Sequence, residues 1–186
     1  MGDYTYLVAS LPTLSLEASP PFTPEEFRFR CQGVLNDRDM AELDGVLAGR
    51  PADGYSAFSQ AWAAADAQIR NTVARTRAIA LGVESKGFLH SHTGYSVWLD
   101  REVTEAMAKA NPLAREMGLD AARWKFVDDV ALADAFGLSA VLAFAVKLRL
   151  VARWATLEEE AGRKRLEELV SQLEERAASK GAADFN

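Results

Sequence analysis

The segment VLAFAVKLRLVARW, residues 141–154, is the most apolar part of the chain, yet it contains Lys147, Arg149 and Arg153. At about 100° per residue, its apolar side chains fall on two nearly opposite sides of a helix. One side carries Val141, Phe144, Leu148 and Val151, and the other carries Leu142, Val146, Leu150 and Trp154. Because both sides favour burial, the segment predicts the central helix of a helical bundle.

The three cations occupy the narrow gaps between these apolar sides. Arg149 and Arg153, four residues apart, share one gap, and Lys147 lies in the other, so each can pack its methylenes on apolar neighbours and extend its charged end outward. The preceding helix offers three carboxylates for internal ion pairs, those of Asp128, Asp129 and Asp134. Contact between the cations and a partner protein is the alternative, and the sequence leaves both open.

Capping residues and apolar residues at helical spacing predict the other helices. With the central helix, the expected set covers about residues 24–35, 36–49, 55–81, 100–111, 112–136, 139–154 and a final helix from Thr156 onward. The expected N-terminal caps are Thr23, Asn36, Asp100, Asn111 and Ser139. Thr23 forms a capping box with Glu26, and Thr156 forms a second one with Glu159. No sustained period-two alternation is present. The chain is therefore expected to be all-α, a bundle of about six to seven helices.

The remaining segments are expected to be irregular. The opening segment, residues 1–22, begins with a short apolar run, and the stretch 11–24 contains four of the six prolines. Residues 82–96 contain three glycines and no period, which is typical of a loop. Residues 181–186 are expected to form a frayed tail. We predict that residues 1–186 form a single helical domain.

Composition excludes several classes of protein. A net charge of −6 and a pI near 5.0 argue against nucleic-acid binding. The single cysteine, Cys31, excludes an internal disulfide framework and is expected to be a small buried residue. No apolar run reaches the roughly 18 to 20 uncharged residues that cross a bilayer, and the first residues do not resemble a secretory signal. The expected location is the cytoplasm.

The sequence contains few groups with the spacing that catalysis needs. His90 and His92 could approach one metal ion from a loop, but zinc needs a third ligand and usually a fourth. Adjacent helical residues such as Asp128 and Asp129 point about 100° apart and do not form an acid-base pair easily. Walker, dinucleotide-binding and nucleophile-elbow motifs are absent. We predict no cofactor, no metal and no enzymatic activity, with a metal-dependent enzyme using His90 and His92 as a lesser alternative.

The four tryptophans are expected at the core or its edge, and at least one could anchor an interface. We predict a protein-contact surface, apolar and cationic, around Arg149, Arg153 and Trp154. Its candidate residues are Lys147, Arg149, Arg153, Trp154 and Trp124.

Several segments resemble a bacterial family of uncharacterised proteins related to the C subunit of V-type and A-type ATP synthases. They are YTYLVASLPTLSL (4–16), NTVARTRAIALG (71–82), NPLAREMGLDAARWKFVDDV (111–130), VLAFAVKLRLVARW (141–154) and the capped final helix. The resemblance spans most of the chain, and residues 111–154 are its most specific part.

The resemblance implies a fold like that of the V-type ATP synthase C subunit and a non-catalytic adaptor. Such an adaptor seats the central rotor shaft on the membrane proteolipid ring, so the protein would be cytoplasmic and peripheral to the membrane through a protein complex. Full-length C subunits are longer and have several similar helical lobes, which leaves open a role beside the rotor or assembly of more than one copy. The alternative is a free helical regulatory or assembly adaptor that meets the synthase only transiently.

Overall fold

The computed structural model describes residues 4–51, 54–157 and 170. Within residues 4–50 and 54–157 the chain forms seven α-helices and two short 3-10 helices, Lys86–Phe88 and Leu132–Asp134, and no strand. The α-helices are α1 (Thr5–Ser10), α2 (Pro24–Cys31), α3 (Asp37–Leu47), α4 (Ala57–Leu81), α5 (Val97–Ala108), α6 (Pro112–Ala131) and α7 (Leu138–Ala155). The all-α prediction is confirmed for this part of the chain.

The described residues before Arg153 form one compact unit, and those from Arg153 onward belong to a second. The predicted second capping box, the final helix and the tail lie outside the described residues, apart from Thr156, Leu157 and Val170. The single domain over residues 1–186 stays a prediction.

The opening segment differs from the sequence prediction. Residues 1–22 were expected to be irregular, but Thr5–Ser10 forms the short helix α1. Tyr4 and Leu7 are buried, and the Tyr4 backbone N–H donates to the carbonyl of Phe136 at 3.1 Å. Tertiary contacts therefore stabilise a helix that is too short to form alone.

Three of the predicted helix starts are confirmed. Thr23 and the Glu26 side chain form the reciprocal capping box of α2, Asn36 caps α3, and Asn111 caps α6. Gly82, with φ of 66°, ends α4 in the left-handed conformation that favours glycine.

Two predicted caps are wrong. Ser96, not Asp100, caps α5 by accepting a hydrogen bond from the Leu99 N–H at 3.2 Å. Asp100 instead accepts a hydrogen bond from the Thr72 hydroxyl at 2.6 Å. Ser139 lies inside α7, where its N–H donates to the Asp134 carboxylate at 3.3 Å.

Two predicted helix ends are also wrong. Helix α2 stops at Cys31 rather than near residue 35, before Gly33 with its φ of 79°. Helix α6 stops at Ala131 rather than near residue 136, because residues 132–134 tighten into a 3-10 turn.

The central helix α7 is buried on both of its predicted apolar sides. Val141, Leu148 and Val151 on one side, and Leu142 and Val146 on the other, are all fully buried or nearly so. This two-sided burial agrees with the prediction of a central helix, and α7 contacts α2 through Phe144, α3 through Arg149 and α6 through Lys147.

Helices α4, α5 and α6 form the second main element of the core. The side chains of Gln68 and Thr72 on α4 bond to Ser96 and Asp100 at the start of α5, so these two helices run in the same direction. Helix α6 packs against α4, where the ring centroids of Trp62 and Phe126 are 6.3 Å apart.

Two buried amide side chains hold the loop at residues 82–96 against α4. The Gln68 amide donates to the Ser96 carbonyl at 2.7 Å and accepts from the Ser96 N–H at 2.9 Å. The Asn71 amide makes the same pair of bonds with the backbone of His90, both at 2.8 Å. The loop predicted from its glycines is therefore fixed at two backbone positions.

A buried carboxylate connects the opening segment with α3 and the start of α4. Asp39 accepts hydrogen bonds from the hydroxyls of Tyr4 and Tyr55 and from the Asn36 amide at 2.9 Å. Burial, followed by the hydrogen bond to Asp39, raises the pKa of Tyr4 from 10.0 to about 12. The bond to Asp39, followed by burial, raises the pKa of Tyr55 from 10.0 to about 12.

These tyrosines are expected to make the protein less stable as the pH rises from about 10 to about 12. In that range they lose their protons readily in the unfolded chain but hold them in the folded one, so the folded state binds more protons and its stability falls with pH. Urea unfolding at several pH values measures the effect. In the double variant Tyr4→Phe, Tyr55→Phe, the decline over this range should be smaller than in the wild type, and an equal decline would contradict the assignment.

Candidate protein-contact surface

Two of the predicted interface residues meet beside a carboxylate of α6. The Lys147 Nζ on α7 donates to Asp128 at 2.6 Å and lies 5.1 Å from the ring centroid of Trp124. Trp124 and Asp128 are four residues apart, so α6 presents them on one face. The internal ion pair expected between a central cation and an acid of the preceding helix is thus present for Lys147.

This ion pair lies at the surface. Asp128 has 48% of its side chain exposed, while Lys147 has 20% exposed. Exposed ion pairs contribute about 0 to 1 kcal/mol to stability, so this one adds little to the fold. Its geometry does orient the Lys147 ammonium, which both Asp128 and the face of Trp124 attract.

An apolar groove of about 290 Å³ adjoins the ion pair between α1, α7 and the end of α6. Its walls include Val8, Leu11, Leu132, Ala140, Ala143 and Phe144. Leu132 is 76% exposed. A groove with apolar walls and one oriented ion pair at its edge can accept an apolar side chain and align charged groups around it. We call the groove, Lys147, Asp128 and Trp124 the contact surface.

Arg149 lies away from this surface. Its Nη1 donates to the carbonyl of Val46 in the last turn of α3 at 3.0 Å. Burial lowers the pKa of Arg149, and the charge of Asp66 partly opposes this shift. A cation at a helix C-terminus is favourable, so Arg149 connects α7 with α3. Its partner is a backbone carbonyl rather than one of the α6 carboxylates.

Arg153 and Trp154 belong to the second unit. The Arg153 guanidinium lies 5.4 Å from the ring centroid of Trp154. The Arg153 carbonyl accepts a hydrogen bond from the Thr156 hydroxyl at 2.8 Å. Of the five candidate residues, the structure therefore brings together Lys147 and Trp124, bonds Arg149 to the end of α3, and pairs Arg153 with Trp154.

The groove residues on α1 and after α6 were not among the predicted site residues. Val8 and Leu11 could not be identified because the segment 1–22 was expected to be irregular. Leu132 was expected inside a longer α6, where an apolar residue indicates burial. An exposed leucine just beyond a helix end has no distinctive sequence signal.

The cysteine and the potential metal-ligating side chains do not form a reactive site in the described part of the chain. Burial raises the pKa of Cys31 to about 11, which is typical of an unreactive core thiol. Within residues 4–51 and 54–157, no three His, Cys, Asp or Glu side chains are grouped so that they could hold a metal ion. In the same part of the chain, no helix has the length and apolar character needed to cross a membrane.

Part of the chain matches a known protein family. Residues 94–177 match a family described as "protein of unknown function (DUF2764)". The match includes α5, α6 and α7, and therefore Trp124, Asp128 and Lys147 of the contact surface. No curated protein and no solved structure matches the chain.

Proposed function

We propose that the protein is a non-catalytic component of a V-type ATP synthase, similar to its C subunit, that couples the central rotor shaft to the membrane ring. It would act in the cytoplasm, peripheral to the membrane. The contact surface is the observation that supports a binding role, and the family resemblance, strongest over residues 111–154, supports the choice of partner.

The contact surface has the two components that protein interfaces combine. Its apolar groove offers surface whose burial favours association. The ion pair at the edge, between Lys147 and Asp128, offers directional charge, which contributes more to orientation and specificity than to affinity. A rotor subunit that inserts an apolar side chain beside Leu132 would cover apolar surface now in contact with solvent.

The helices behind the surface suit an adaptor that transmits torque. Helix α7 is buried on two opposite sides between Val141 and Val151, so packing holds this part of the helix. Helix α4 has 25 residues, which corresponds to roughly 37 Å. A surface supported by packed helices keeps its geometry under load better than one built on loops.

Replacing Leu132 with glutamate is expected to reduce co-purification with the rotor shaft subunits by about tenfold or more. A charge at the groove edge would oppose burial of apolar surface there, while an exposed position has little effect on folding. Leu81→Glu is the matched control, because Leu81 is 75% exposed and Leu132 is 76% exposed. Leu81 is the last residue of α4, whereas the groove lies along α1, α6 and α7. Tagged full-length chains expressed beside the synthase subunits measure both variants.

The outcomes separate the proposal from its rivals. Wild-type chain that never co-purifies with shaft or ring subunits would contradict the assignment and favour a free regulatory or assembly adaptor. An equal loss in Leu81→Glu and Leu132→Glu would contradict the contact surface while preserving the partner. Circular dichroism melting shows that each variant is folded.

A further inference from the structure

A second groove, of about 630 Å³, opens beside α4, away from the contact surface. It lies between the turn that follows α3, one face of α4 and loop residues 90–93. Arg50 comes from the turn, Arg70 from α4, and His90, Ser91, His92 and Thr93 from the loop. Its volume is within the range of small-molecule sites, roughly 300 to 1,000 Å³.

The charged side chains among the described lining residues are both positive. The described lining residues include two arginines and two histidines but no aspartate or glutamate. The chain as a whole carries a net charge of −6. A cleft of one sign in a protein of opposite net charge concentrates ligands of the other sign, here anions.

The floor of the groove leaves space for a ligand next to the helix. It is formed by Ala63, Ala64 and Ala67 of α4, whose short side chains let a bound molecule approach the helix surface. The loop wall is held in place, because Asn71 bonds both backbone groups of His90 at 2.8 Å. Such prior ordering reduces the entropy cost of binding.

One polar atom in the loop wall lacks a partner. The Nδ1 of His92 is buried and has no hydrogen-bond partner in the described structure. Buried polar groups are hydrogen-bonded in the great majority of cases, so an orphan atom needs an explanation. Because this atom has almost no solvent-accessible surface, a ligand in the open groove could bond to it only after the imidazole ring turns.

An ion pair with Asp66, one turn earlier on α4, orients the Arg70 side chain. Its Nη2 lies 2.6 Å from Asp66 Oδ2, and 55% of its side chain is exposed. Asp66 is not part of the groove lining. A guanidinium has five N–H donors in a planar fork, so an ion pair with one carboxylate leaves donors for a second anion.

From these features we infer that the groove binds a small oligophosphate, an anion with two or more phosphoryl groups. Arginine forks match phosphate oxygens in paired hydrogen bonds. The hydroxyls of Ser91 and Thr93 and the imidazoles of His90 and His92 add further donors from the opposite wall. Cationic groups on two walls suit an anion with charge at both ends, and the volume exceeds what a single phosphate fills.

Inorganic pyrophosphate tests the inference by calorimetric titration of the full chain. Arg70→Gln removes one cation and is expected to weaken binding about tenfold, the scale of one charge-assisted hydrogen bond. Ala63→Leu fills the floor without changing charge, keeps a good helix former, and is expected to weaken binding by at least as much. Arg101→Gln is the matched control, because Arg101 is 65% exposed and pairs with Glu102 on α5. It should bind like the wild type.

The two histidines of the chain provide a second readout. Pyrophosphate should shift the imidazole NMR signals of His92 in the wild type and in Arg101→Gln, but not in Ala63→Leu. A sugar bisphosphate tests whether an organic carrier adds affinity, and tighter binding of it would support a phosphorylated metabolite as the ligand. Thermal melting checks that each variant folds.

Three results would overturn the inference. The first is no binding heat and no NMR shift with pyrophosphate up to about 10 mM, because a specific site of this charge should bind at lower concentrations. The second is equally weakened binding in Arg101→Gln and Arg70→Gln. The third is tighter binding of citrate than of either phosphate compound.

Discussion

Phe27→Ala is expected to lower the free energy of unfolding by about 3 to 5 kcal/mol, the cost of truncating a buried aromatic residue. Phe27 is fully buried. Its ring lies 4.8 Å from that of Phe144 on α7 and 6.1 Å from that of Phe22 in the opening segment. The alanine variant would lose these contacts and leave a cavity where α2, α7 and the opening segment meet.

Denaturant unfolding followed by circular dichroism measures this loss. Phe29→Ala is the control on the same helix, because Phe29 is 75% exposed. Its effect should stay within about 0.5 kcal/mol. If the two variants were equally stable, the aromatic cluster could not be the closed core that joins α2 to α7.

Asp39→Ala is expected to cost roughly 3 kcal/mol through a different mechanism. Its carboxylate accepts hydrogen bonds from Tyr4, Tyr55 and the Asn36 amide. Removal leaves the buried Tyr4 hydroxyl without this acceptor, and each unsatisfied buried group costs about 1 to 3 kcal/mol. The substitution also loosens the connection between the opening segment and α3.

The matched control for this variant is Asp37→Ala in the first turn of α3, where the carboxylate is exposed. An acidic side chain in the first turn of a helix is favoured by the helix dipole, so the loss of Asp37 should cost about 0.3 to 1 kcal/mol. Asp39→Asn retains an acceptor oxygen and should fall between the two alanine variants. Equal midpoints of urea unfolding for Asp37→Ala and Asp39→Ala would show that the tyrosine bonds do not stabilise the fold.

Helix boundaries were predictable where the signal is local. The capping box at Thr23, the Asn36 cap and Gly82 each depend on a few consecutive residues, whose backbone and side-chain bonds form within one turn. Asp100 also carries a local cap signal, but Ser96 takes the role. Gln68 on another helix binds the backbone of Ser96, and Thr72 binds Asp100. Partners distant in sequence decided between two locally acceptable caps.

The site was predictable only in part. An acidic partner for Lys147 could be expected, because the preceding helix offers three carboxylates, and Asp128 is that partner at 2.6 Å. The partner of Arg149 could not be predicted, because Val46 is 103 residues away and accepts through its backbone carbonyl, which has no side-chain signature. Both grooves are assembled from segments far apart along the chain.

By itself, the sequence determined the helical class, the central position of residues 141–154 and the presence of cations at its edges. These follow from the 3.6-residue period and from transfer of apolar side chains out of water, both of which act on neighbours along the chain. Only the tertiary structure decided that residues 5–10 are helical, which carbonyl or carboxylate each cation contacts, and where grooves remain open. Those outcomes depend on contacts between distant segments, whose geometry exists only after the helices have packed.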